Sequence, residues 1–114
     1  MIDRGDRKNT GKPRWSLVDF ESIEPLVRVL EFGAIKYSPD NWKRGFDKQE
    51  LSESLLRHAM ELANGQENDK ESGLPLVGHI MCNAMFYEYC AKHECFKNKP
   101  DEEKFPKPLQ HHPV

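Results

Sequence analysis

Between Arg57 and Asn83 the chain reads RHAMELANGQENDKESGLPLVGHIMCN, and most of the side chains suited to chemistry near neutral pH fall inside this stretch. His58 and Glu61 precede an acidic segment holding Glu67, Asp69 and Glu71, and His79 and Asn83 follow it. Hard divalent cations take oxygen ligands, and Mg²⁺ commonly joins one or two carboxylates to phosphates while keeping several waters. Glu31, Glu61, Glu67, Asp69 and Glu71 supply more carboxylates than such a site requires. An ion held there would neutralise charge on a pyrophosphate and help water attack phosphorus. His58 or His79 would orient that water, accept its proton or donate to a phosphate oxygen. Zinc on His58, His79 and a carboxylate is the rival chemistry, although no HExxH or Cys/His ladder supports it.

These groups need helices to position them. Ile23, Leu26, Val27, Leu30, Ala34 and Tyr37 recur at steps of three and four, which predicts an amphipathic helix capped by Ser22, with Pro25 in its first turn and Ser38-Pro39 ending it. Glu31 borders that apolar face, as an inward ligand or an ordinary boundary carboxylate. A second helix is expected from Gln49 to about Ala63, with Leu51, Leu55, His58 and Leu62 on its inner stripe. Glu50, Glu53, Arg57 and Glu61 lie towards its polar side, where i,i+4 ion pairs are the plain reading. Asn64-Gly65 closes it. Ser72 or Gly73, with Pro75, then opens a third helix carrying Val77, Ile80, Met81, Ala84, Met85, Tyr87 and Ala91, the element expected to be most buried. His79 and Asn83 face the same way on it and must find polar partners.

Between the first two helices, SPDNWKRGFDKQ is a loop by composition. Trp42, with Lys43 and Arg44 after it, either grips a base and its phosphates or plugs the open end of a helix bundle. Ser52, Ser54 and Ser72 show no sign of an activated nucleophile, and neither a P-loop nor a Gly-x-Ser-x-Gly elbow is present. No strand and no internal repeat is expected.

At 114 residues, 37% of them hydrophobic and 32% charged, the chain accommodates one domain with a modest core. A net charge of −2 argues against a broad nucleic-acid face, although Arg4, Arg7, Lys8, Lys12 and Arg14 make the N-terminus locally basic. Residues 1–14 read as an extended lead-in, in which Lys12 and Arg14 are solvated cations or phosphate contacts. From residue 95 onward, prolines and charges without period predict an extended or disordered tail. Cys82, Cys90 and Cys95 have neither an even count nor CxxC spacing, which fits reduced thiols in the cytoplasm. No apolar run reaches the length of a membrane span, so no membrane partner is expected.

Four segments taken in order carry a family resemblance: GKPRWSL, EFGAIKYSPDNWKRG, LLRHAMELANGQENDKESGLP and GHIMCNAMF, in which GA-x-KY, NW-K-G, LLRH, D-x-ESGLP and H-x-x-x-N recur together. Over about residues 11–89 the chain resembles the phage and bacterial N-terminal domain of dATP/dGTP diphosphohydrolases, a MazG-like branch of the all-α nucleotide pyrophosphohydrolases. The resemblance implies an all-helical homo-oligomer, located in the host cytoplasm if phage-encoded. It implies that purine deoxynucleoside triphosphates are bound with Mg²⁺ or Mn²⁺ and cleaved to monophosphate and pyrophosphate. Lys36, Trp42, Arg57, His58, Asp69, Glu71, His79 and Asn83 match the family pattern. Two positions depart from it: Gln66, where relatives usually have Glu, and Leu76, where they usually have His. The paired E-x-x-E and E-x-x-D motifs of MazG enzymes are not recognisable.

The expected architecture is thus an all-α bundle of three main helices over residues 1–94, completed by oligomerisation because three short helices leave apolar faces uncovered. The expected roles are His58, Glu71 and His79 in catalysis; Lys36, Trp42, Lys43, Arg57 and Asn83 in substrate binding; and Glu31, Glu61, Glu67, Asp69 and Glu71 around the metal. A non-catalytic protein that sequesters a nucleotide or a cyclic-nucleotide signal on the same pocket is the second reading, kept open by Gln66 and Leu76. A helical interaction module with a merely hydrogen-bonded polar core is the third.

Overall fold

Pro25 lacks an amide proton, and the first turn of a helix has no use for one there. In the computed structural model, which describes residues 10–97, helix α1 runs Glu24–Lys36 with this proline in its first turn. Ser22 does not cap it: its hydroxyl donates to Asp19 within a 3₁₀ turn, Phe20–Ile23, that leads into the helix. Tyr37 closes α1 by donating its N–H to the Gly33 carbonyl, one residue before Ser38-Pro39.

Helix α2, Lys48–Ala63, begins at a cap that the sequence reading did not identify. The buried Asp47 carboxylate accepts the Glu50 N–H at 3.0 Å, occupying one of the otherwise unpaired amides of the first turn. The helix ends at Asn64-Gly65, as expected, with Gly65 at φ +93°. Helix α3, Leu76–His93, packs against both others and is the central element. Its largest fully buried side chains are Leu76, Cys82 and Cys90. The large aliphatic residues expected to bury it are only partly covered, and Val77 remains 42% exposed. On α1 it is Val29 that is buried, while Val27 lies open.

Two short strands depart from the all-helical expectation without changing the class. β1, Phe46–Asp47, pairs in parallel with β2, Phe96–Lys97, so the start of the expected C-terminal tail is extended but hydrogen-bonded. Gly45 makes this approach possible. It sits at φ +101°, and a Cβ there would lie 2.1 Å from the Cys95 carbonyl oxygen. The remainder of the tail, from residue 98, and residues 1–9 of the lead-in lie outside the described residues.

The contact between α1 and α3 rests on Gly78. A Cβ at this position would stand 2.5 Å from the Pro25 carbonyl oxygen and 3.0 Å from Val29 Cγ2. Gly78→Ala is therefore expected to push the helices apart and to cost about 1–3 kcal/mol, the usual penalty of overpacking. Urea unfolding should show the midpoint fall with little change in slope. An unchanged midpoint would mean that the helices adjust freely.

Candidate functional site at the interface of the second and third helices

Leu51, Ser54 and His58 form the buried face of α2, so two of its three buried residues are polar. Ser54 serves both neighbouring polar groups. Its carbonyl accepts the Nδ1–H of His58 at 3.2 Å, and its hydroxyl accepts the Asn83 amide at 3.1 Å from across the interface on α3. The polar partner that Asn83 needs on this buried face is therefore Ser54, which also bonds His58. No signal in the sequence marks Ser54 beyond its place one turn before His58 on the inner stripe.

The acidic segment is a closed hairpin. Leu76 N–H bonds the Glu67 carbonyl and Asp69 N–H bonds the Leu74 carbonyl, both at 2.8 Å, around a bridge between Asn68 and Pro75. Inside it, Asp69 Oδ2 accepts the amides of Glu71 and Ser72 at 3.1 and 2.8 Å. Its two oxygens also face the histidines: Oδ1 lies 3.7 Å from His58 Nε2, and Oδ2 lies 3.8 Å from His79 Nε2. The two imidazoles stand 4.9 Å apart, centroid to centroid. Ser72 completes the cluster, its hydroxyl oxygen 2.7 Å from His79 Nε2. Nothing local in the sequence marks this serine, because its partner comes from the following helix.

Gln66 and Leu76 have local structural duties. The Gln66 side-chain amide donates to the Asn68 carbonyl at 3.0 Å, a bond that an ionised carboxylate cannot make. Leu76 is fully buried where α3 begins.

A cleft of about 350 Å³ opens between α1, α2, α3 and the loop joining α1 to β1. Lys36, Trp42, Arg57, His79 and Asn83 all line it, which brings together four of the five expected substrate-binding residues and one expected catalytic residue. Its aromatic wall is ordered: Trp42 stacks on Phe86 at 5.1 Å and meets Tyr89 edge-on at 4.8 Å, while Phe46 stacks on the other side of the set against Phe86. Glu50 lines the cleft too, although its spacing placed it towards the polar side of α2. His58 does not line the cleft, although its ring stands next to that of His79.

The remaining expected residues are dispersed. Lys43 pairs with Asp40 at 3.3 Å and lies over the Trp42 ring, outside the cleft lining. Glu31 is exposed and bonds Arg28 at 3.0 Å. Glu61 is close enough to His58 to act on it electrostatically, and Glu67 contributes its backbone carbonyl to the hairpin. Glu71 is bound at 2.7 Å by Lys36, which ties the end of α1 to the acidic hairpin. Among the described residues, no three His, Cys, Asp or Glu side chains are placed to hold a metal ion.

Burial pushes the pKa of both histidines below the ordinary 6.5, and for His58 the neighbouring His79 and Arg57 push the same way. Both rings are therefore neutral near pH 7. Burial works against the charged form of Asp69, but the Ser72 amide and the facing imidazoles outweigh it and hold the carboxyl below its ordinary 3.8. With the imidazoles uncharged at neutral pH, the hydrogen bonds from the Ser72 amide and side chain carry that stabilisation there. These directions set the acid limb of stability. Below 6.5 the unfolded chain binds protons that the folded histidines refuse, so stability is complete above 6.5 and declines as pH falls towards the folded-state pKa values. Asp69 adds a separate loss below 3.8. Thermal melts from pH 8 to 5 should be flat and then fall, with a shallower fall in His58→Gln; an equally steep fall in that variant would assign the limb elsewhere.

A family model described as "dATP/dGTP diphosphohydrolase, N-terminal" matches residues 3–99. A dATP/dGTP diphosphohydrolase of Salmonella phage PMBT28 is 34% identical over 82 residues, covering 72% of this chain and 28% of that protein. The chain thus spans less than a third of the length of this relative. No solved structure matches. With the match running through all three helices and both sides of the cleft, the chain belongs to the dATP/dGTP diphosphohydrolase N-terminal family.

Proposed function

We propose that this chain binds a purine deoxynucleoside triphosphate in the cleft and hydrolyses it to the monophosphate and pyrophosphate. The observation that carries the reading is the pairing of a stacked aromatic wall with Lys36, Arg57 and His79 in a single cleft of nucleotide size. A purine ring stacks on the exposed part of Trp42. Lys36 and Arg57 meet the phosphates, and the planar guanidinium suits paired phosphate oxygens. Water attacks the α-phosphorus; its oxygen forms the new bond as the bond from that phosphorus to the bridging oxygen breaks, and pyrophosphate leaves. A neutral imidazole of the His58 and His79 pair takes the water's proton or steadies a phosphate oxygen. The printed name of the phage relative supports the substrate class.

Mg²⁺ or Mn²⁺ enters this reading as the cation carried by the triphosphate. The described residues do not fit a resident ion: Asp69 Oδ2 already accepts two amides, Glu71 is held by Lys36, and no three-ligand group forms. The same self-contained acidic hairpin favours a second reading, in which the cleft holds a nucleotide or a cyclic-nucleotide signal without cleaving it.

Pyrophosphate release from dGTP and dATP with Mg²⁺ separates the two. The expected outcome is release that stops in EDTA and returns with added Mg²⁺; binding that survives EDTA, with the ligand recovered intact, would replace hydrolysis by sequestration. Trp42→Ala should weaken nucleotide binding by about 1–3 kcal/mol, or roughly 5- to 150-fold, with Trp42→Phe much closer to the parent. Unchanged binding in Trp42→Ala would remove the base from that wall.

The chain is also proposed to act as a homo-oligomer. Ile35 is 88% exposed, and Leu56 and Met60 on α2 are each 55% exposed, an apolar surface that a second copy would cover. Light scattering should give a multiple of 13.3 kDa, and a particle of that mass alone would overturn this assembly.

A further inference from the structure

We propose that Cys90 and Cys95 form a redox-modification site: the pair reacts with a small-molecule disulfide of the glutathione type and closes to an intramolecular disulfide bond that fastens the paired strands to the end of α3. The proposal does not depend on the nucleotide reading.

Helix α3 ends by turning back on its last turn. Glu94 adopts a left-handed φ of +52°, the one such residue other than glycine among those described, and the Cys95 N–H then reaches the Cys90 carbonyl at 3.0 Å. The turn lays the two side chains against each other. The Cys95 thiol donates to Cys90 Sγ at 3.0 Å, within about 1 Å of a disulfide bond length. Both are free thiols here. Among the described residues no third ligand stands with them, so a shared metal ion has no support from the donor set.

The two thiols differ in access. Cys90 is fully buried, whereas Cys95 is partly exposed. Burial pushes the Cys90 thiol up to about 11, with the neighbouring Cys95 adding to it, while the Phe46 amide and the charge of Lys97 favour its thiolate. Cys95 is therefore the entry point and Cys90 the resolving thiol. The Cys95 thiolate, its proton lost to solvent, attacks one sulfur of the external disulfide. A bond forms to Cys95, the external S–S bond breaks, and one external thiolate leaves and takes up a proton. Cys90, losing its proton in turn, attacks the Cys95 sulfur and releases the second external thiol. Two cysteine thiols are oxidised, and one external disulfide is reduced to two thiols.

The new bond would lie where three elements meet. Gly45 packs against the Cys95 carbonyl, Phe46 pairs with Phe96, and Phe46 also stacks on Phe86, one turn before Cys90 on α3. A covalent tie here keeps β2 on α3, and through β1 it holds Phe46 in the aromatic wall and Asp47 at the start of α2. Cys82 supplies an internal control: it is buried, and its thiol donates to the Leu26 carbonyl at 3.4 Å, away from the pair.

Incubating the folded, reduced full chain with oxidised glutathione at pH 7.5, then denaturing it and alkylating the remaining thiols, tests this by mass. The chain has three cysteines, and the expected product takes one alkyl label instead of three and carries no glutathione. Trypsin and chymotrypsin cut at Lys92 and at Phe86, Tyr87 and Tyr89, so the digest separates all three cysteines and the linked peptides should be those of Cys90 and Cys95. Dithiothreitol should return all three labels. Cys90→Ser should stop with one glutathione on Cys95, and Cys95→Ser should carry none. A parent chain that keeps glutathione on Cys95, links Cys82 or still takes three labels would overturn the proposal, and these parent masses decide even if a serine variant does not fold. The oxidised chain should also melt at a higher temperature than the reduced one, because the link restricts the unfolded chain. A lower melting temperature would show that the fold opposes the bond and would overturn its place in this structure.

Discussion

The hydrogen bonds that converge on Ser54 are the constraint on which the rest of this structure depends. Helices α2 and α3 meet through Ser54, His58 and Asn83, each at most 5% exposed, where an aliphatic bundle would place leucines. A buried polar group left without a partner costs about 1–3 kcal/mol, so this interface is stable only in the register that pairs all of them. The Ser54 carbonyl takes the imidazole of its own helix and the hydroxyl takes the amide of the other. One residue thus fixes the rotation of α2 against α3, the orientation of His58, and the side of Asn83 turned to the cleft. The aliphatic part of the core is small by comparison, and its fully buried members on α3 include two cysteines.

The acidic hairpin answers to the same rule. It joins helices whose facing ends carry imidazoles, and its backbone is closed by paired amides and carbonyls. Asp69 then bonds the turn with one oxygen and faces His58 with the other. The exposed Lys36–Glu71 pair adds little stability in water, but it fastens the C-terminal end of α1 to this turn. Any anion that approached Lys36 would have to compete with Glu71 for it.

The helices were legible because their apolar periodicity is local, and all three lie within a few residues of the expected spans. The phase of burial was less legible. Periodicity shows that a face is apolar but does not show that anything covers it, which is why Val27 and Leu62 lie exposed on stripes that looked internal. The two short strands had no signature at all, since a two-residue pairing between positions 46 and 96 leaves no local pattern. For the site, Lys36, Trp42, Arg57, His79 and Asn83 were found by type and family resemblance, and the cleft unites them. Ser54 and Ser72 were missed for one reason: a serine acquires a role only from partners that the fold supplies, here Asn83 and His79.

Gln66 and Leu76 show how a departure from a family pattern can be read physically. Replacing a carboxylate by an amide removes a charge, and by charge alone Gln66 would weaken a cation site. Its side chain, however, donates to the Asn68 carbonyl at the entrance of the hairpin, and this requires the N–H₂ that glutamate lacks. Leu76 likewise replaces a polar side chain at a position with no exposed surface, where an imidazole would need a buried partner of its own. Gln66 and Leu76 thus both belong to the framework around the acidic hairpin that carries Asp69 and Ser72.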